Sequence, residues 1–167
     1  TESYDRSADE VFATWDEIAA EVMDALPVPL RGDPVADRHG ETRDLAAYDQ
    51  FVKGRHAWFK RTPEGLGQAI AYFRQAVARD PGYARAHSGL ADAWNLMGAY
   101  DYGVLPPDSA FPVALRHADR ALELAPSLGE AHAARANVLF AWYRDARAAG
   151  EAYRRAIELY PHYPEAH

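Results

Sequence analysis

Apolar and polar positions along much of this chain follow the period of an α-helix. Ala69, Ile70, Phe73, Ala76 and Val77 fall at i, i+1, i+4, i+7 and i+8, a single stripe that a helix must bury. Thr62-Pro63 opens that helix with a capping hydroxyl and a proline at the first helical position. Pro81 ends it, because proline cannot continue the backbone ladder. Upstream, Val11, Phe12, Trp15, Ile18, Ala19, Val22, Met23 and Leu26 share one face of another predicted helix, ending at Leu26. The stretch 27–46, with its prolines, glycines and many charges, reads as a linker.

Comparison of the chain with itself shows a repeat. Arg74-Gln75-Ala76-Val77-Ala78-Arg79-Asp80-Pro81, Asp119-Arg120-Ala121-Leu122-Glu123-Leu124-Ala125-Pro126 and Arg154-Arg155-Ala156-Ile157-Glu158-Leu159-Tyr160-Pro161 match, with prolines 45 and 35 residues apart. Ala69, Ala114 and Ala149 precede them, each followed four residues later by Phe73, Ala118 or Tyr153. Each unit has a second helix before this one: Leu90, Ala91 and Trp94 mark it in the second, Ala136 and Leu139 in the third, and Gly54 in the first. Lys53 is polar where an apolar residue is expected, so the register of the first helix is the least determined. Extra residues lie around Arg61 to Gly65 and, in a longer insertion, between Trp94 and Ala114. In the longer one Pro106-Pro107 enforces an extended stretch, Asp108 or Ser109 is expected to cap the next helix, and Tyr100, Tyr102 and Phe111 are expected to cover the open end of the helix pair.

This pattern resembles the tetratricopeptide repeat. The resemblance implies an all-α fold, a helix-turn-helix solenoid wound as a right-handed superhelix, with about three repeats plus an N-terminal helix. The expected division is an N-terminal helix at 1–26, a linker at 27–46 and an array at 47–167, with repeats near 47–83, 84–128 and 129–163 and a truncated fourth from 164. Arg61-Thr62-Pro63-Glu64-Gly65-Leu66 and Gly103-Val104-Leu105-Pro106-Pro107 are similar to the C-terminal repeats of bacterial multidomain signalling and transcription regulators. In those proteins the repeats follow a TolB-like domain, itself preceded by a winged-helix, nucleotide cyclase or kinase domain. Ser3-Tyr4-Asp5-Arg6 with Val11-Phe12-Ala13 resembles the end of that TolB-like domain. The chain, starting at Thr1 without an initiator Met, is read as a fragment of such a protein, its first helix capping the array or forming a homodimer contact.

Charge narrows the partners. With 18 Lys+Arg against 25 Asp+Glu, a net charge of −7 repels phosphate backbones, so nucleic acid and anionic membranes are not expected partners. The longest apolar run, near Val138 to Tyr143, is far short of the roughly 18 residues a membrane helix needs, so no membrane insertion is expected. The absence of cysteine excludes disulfides and thiolate metal sites. It is compatible with either side of a membrane: the cytoplasm is favoured, and the periplasm follows if the parent carries a membrane helix.

Chemistry finds little footing. His87, His132 and His167 occupy equivalent repeat positions and read as packing residues, while His39, His56, His117 and His162 stand isolated in sequence. No H-E-x-x-H or carboxylate cluster accompanies them, so no metal or other cofactor is expected. Gly65-Leu66-Gly67 belongs to a helix start rather than a phosphate loop, and no nucleophile motif appears, so no catalytic residue is assigned and the chain reads as non-enzymatic. Arg144-Asp145-Ala146-Arg147 reads as a solvated turn.

The resemblance implies a concave surface, lined by the first helix of each pair, that docks a protein segment or peptide. Carried over position by position, its lining is Arg55 and Trp58, then Ser88, Asp92 and Asn95, then Asn137 and Phe140. Asn95 and Asn137 would bond a peptide backbone, Arg55 a carboxylate, and Trp58 and Phe140 would be apolar anchors unless they belong to the inter-helix core. Arrays that clamp a C-terminal carboxylate use Lys and Asn where this chain has Phe51 and Arg55, so chaperone tails are not expected ligands. Two alternatives stay open: an oligomerisation scaffold, or the accessory tail of a cyclase or kinase.

Overall fold

A computed structural model describes residues 40–99 and 104–159. The chain divides into two units, 1–38 and 39–167, and every described residue lies in the second. The helix ending at Leu26, most of the linker, Tyr100, Tyr102, His39, His162, His167 and the fourth repeat lie outside the described residues.

The described residues form α1 (Leu45–Phe59), α2 (Pro63–Arg79), α3 (Ala84–Gly98), α4 (Pro107–Leu124), α5 (Gly129–Ala141) and α6 (Ala146–Leu159), with no strand among them. Helices pair as α1/α2, α3/α4 and α5/α6. The pairs stack through α2 on α3 and α4 on α5, and the first helices α1, α3 and α5 also adjoin in a row. This is an all-α helical-repeat solenoid.

Local chemistry sets the helix ends. Asp44 caps α1 by accepting from the amides of Ala46 and Ala47, so the helix opens at Leu45, inside the stretch expected as linker. Arg61 turns the chain with a φ of 52°, after which the Thr62 hydroxyl accepts from the Gly65 amide and Pro63 takes the first turn of α2. Neither Asp108 nor Ser109 caps α4. The helix already starts at Pro107, so the cap position falls to Pro106, which has no side-chain acceptor; Asp108 sits in the first turn and the Ser109 hydroxyl donates to the Pro106 carbonyl.

The largest core cluster lies under the first two pairs. The Phe73 ring of α2 is fully buried between α1 and α3, where Gly54 and Gly89 leave it room. Phe51 packs on Phe73 and Tyr83, with ring centroids 5.7 and 5.2 Å away. Where the second repeat has Ala118 in place of Phe73, the contact shrinks to alanines: Ala91, Ala118 and Ala134 bring α3, α4 and α5 together. Phe111 is buried and stacks on Trp142, centroids 5.4 Å apart and planes 15° from parallel, so it closes the α4–α5 seam.

Candidate binding groove

α3 supplies the middle of the row of first helices. Ser88, Asp92 and Asn95 fall at i, i+4 and i+7, which places them on one face. Ser88 and Asp92 are buried, and Asn95 is half-buried. The Ser88 hydroxyl and the Asn95 carboxamide oxygen are both shielded without a hydrogen-bond partner, as is the indole nitrogen of the adjacent Trp94. Each orphan of this kind costs about 1–3 kcal/mol, and Gln50 Oε1, the Trp58 indole nitrogen and the Tyr83 hydroxyl share the condition elsewhere among the described residues.

The flanking helices behave differently. On α5, the Asn137 oxygen accepts a 2.6 Å hydrogen bond from the Tyr153 hydroxyl of α6, so its amide nitrogen is the end left to donate. Burial pushes the Tyr153 phenol up, which keeps it the donor. Phe140, at 60% exposure, projects from the core and presents an apolar ring. On α1, Trp58 is 3% exposed and belongs to the core cluster, with the Arg61 guanidinium 3.7 Å from its ring centroid. The half-buried Arg55 lies 4.9 Å from Trp58 and 5.0 Å from Phe59. The apolar surface at that end is Phe59, 60% exposed, which the sequence reading did not single out although it follows Arg55 by four residues. The seven predicted positions therefore stand on three consecutive first helices. Arg55 and Trp58 stand on α1 and meet there, Ser88, Asp92 and Asn95 stand on α3, and Asn137 and Phe140 stand on α5. Phe51, where carboxylate-clamping arrays carry a polar residue, is buried.

One expectation about histidine changes. His117, isolated in sequence, meets His87 across the α3–α4 interface, Nδ1 to Nδ1 at 3.1 Å, because the two helices pair. Burial holds both below the ordinary histidine range, His117 at about 4; the Pro81 carbonyl partly offsets this at His87. His132 bonds the Pro126 carbonyl at 2.9 Å. Among the described residues no group of three His, Cys, Asp or Glu is placed to hold a metal, and no helix is long and apolar enough to cross a membrane.

Arg85, at the start of α3, bridges Glu41 before α1 and Glu130 at the start of α5, with its guanidinium 5.2 Å from the Phe51 ring. Burial opposes its charge, but Glu130 and Glu41 outweigh that and hold its pKa above the usual arginine value.

No protein-family model matches the chain. A solved structure, the Arabidopsis OM64 TPR domain, superposes on 72% of this chain and 88% of its own, with a TM-score of 0.56 and 17% identity. The fold is that of a tetratricopeptide-repeat array. A protein of Rhizobium meliloti (strain 1021) named "Putative adenylate cyclase 3" is 31% identical over 91 residues, 54% of this chain. The match spans only 16% of that protein's length.

Proposed function

We propose that the chain is a non-enzymatic protein-interaction module whose first-helix row docks a protein segment or an upstream regulatory domain of a larger bacterial regulator. The observation that carries this reading is the row of adjoining first helices, with the polar face of Ser88, Asp92 and Asn95 in its middle and, on α5, Asn137 with its amide nitrogen left to donate. An extended peptide offers amides and carbonyls to such a face, and Phe140 offers an apolar contact beside it.

A display library of random peptides, panned on the chain, tests it. Enriched peptides should lose about tenfold or more in affinity to Asn95→Ala or Ser88→Ala, and little to Gly67→Ala, on the exposed side of α2. No enrichment, or binders indifferent to both α3 substitutions, would sink the groove. The partial likeness to a cyclase supports a second reading, in which the array is the accessory tail of a nucleotide cyclase and its docked segment lies within that parent. Sequencing upstream of Thr1 separates the two.

A further inference from the structure

Helix α1 carries two separate apolar stripes, one buried and one exposed. One face carries Ala47, Phe51, Gly54, Ala57 and Trp58 into the core. The other carries Leu45, Tyr48, Val52 and Phe59, at i, i+3, i+7 and i+14, all between 45% and 60% exposed. Four large apolar side chains in one line beside the buried stripe are not the scattered exposure common on surfaces. Neither α3, none of whose residues is exposed, nor α5, which presents only Phe140 and the Tyr143 beyond its end, repeats this.

We infer that this face of α1 is a two-fold interface with a second copy of the chain, the two α1 helices packing antiparallel about Val52. The stripe is close to symmetric about that residue: Leu45 lies seven residues before it and Phe59 seven after. A two-fold axis there stacks Val52 on the partner's Val52 and Leu45 on the partner's Phe59. Along one edge, Tyr48 receives the partner's Arg55, a cation–π contact of the kind Arg55 already makes with Phe59, so the dimer and a docked segment compete for Arg55 and Phe59. Along the other edge, the Asp49–Lys53 pair, joined at 2.6 Å within one helix, meets its own copy running the opposite way, so that each Asp49 also faces the partner's Lys53. The charge of −7 on each copy repels at long range, but screening confines that to about 8 Å at physiological salt, and the contact edge itself is complementary. Fifteen residues make a helix about 22 Å long, which buries less than the 1,200–2,000 Å² of a standard interface. The dimer is accordingly weak and concentration-dependent.

Sedimentation velocity on the chain, from about 5 μM to about 1 mM, reads the equilibrium. The expected result is a reversible dimer that Val52→Glu abolishes. Since Val52 is 45% exposed, that variant should keep the parent's helical circular dichroism, which is recorded alongside. Asp49→Lys and Lys53→Asp should each weaken the dimer at least about fivefold by placing four like charges on one edge, and the double variant should recover most of the loss. Because the chain has no cysteine, Val52→Cys alone should form a disulfide dimer faster than Gln75→Cys on the exposed side of α2. A chain monomeric throughout, a dimer indifferent to Val52→Glu, or a charge swap that fails to recover it would each overturn the inference.

Discussion

The Phe73 ring shows how single residues set the spacing of this array. A Cβ on Gly54 or Gly89 would come within 2.6 or 2.7 Å of that ring, whose far side is also enclosed, so the ring has nowhere to go. Gly89→Ala gains helix propensity of about 1 kcal/mol but overpacks by about 1–3, so a net loss of up to about 2 kcal/mol is expected in urea titration. Gly150→Ala, in the interior of α6 with nothing within 4 Å of the new methyl, should instead stabilise by about 0.5–1 kcal/mol. The opposite signs rest on one physical difference, the presence of a rigid neighbour. Gly54 was legible as a small position because the repeat pattern asks for one there. Gly89 was not, since the small position of the pattern in the second repeat falls on Ala91, and the room at Gly89 is demanded by the ring of the preceding helix.

Between elements, the α3–α4 interface carries a proton-linked contact. His87 and His117 are buried side by side, and the charges facing them are all positive: Arg74 from α2, and Arg116 and Arg120 from α4. Their folded pKa values lie below the unfolded value near 6.5, so the folded state binds fewer protons in acid. The stability tied to this pair is complete above about pH 6.5 and is lost as pH falls towards about 4. Urea midpoints measured across that window should drop for the parent chain and drop less for His117→Gln, which keeps an amide donor toward His87 but does not titrate. Equal acid slopes for the two would refute the linkage. Helix boundaries were largely legible, because Thr62, Pro63, Pro81 and Pro126 act on the backbone next to them. The start of α4 was not, because two adjacent prolines displaced the capping residues into the first turn.

At the scale of the whole array, each helix pair touches its neighbours, so cohesion depends on groups that span repeats. Arg85 is such a group, joining the segment before α1 to α5 through two carboxylates. Arg85→Met keeps the stem that packs on Phe51 but removes both pairs. It should cost about 1–2 kcal/mol, a difference that narrows at about 1 M salt, where screening reduces the pairs' worth in the parent. A salt-independent loss would mean that packing, not charge, makes the link.

The sequence by itself determined the helical period, the pairing of helices and the repeat, because these rest on contacts and breakers a few residues apart that recur from unit to unit. It also carried the charge balance, a net −7. Which candidate side chains turn inward was decided only by the tertiary structure. Trp58 and Phe140 carry the same apolar credentials, yet one is sealed beneath Arg61 while the other stands in solvent. The meeting of His87 with His117, the unpartnered oxygens of Ser88 and Asn95, and the second apolar face of α1 arise likewise from how helices distant in sequence pack. A periodic pattern specifies that a face is apolar, whereas burial depends on which neighbour arrives to cover it.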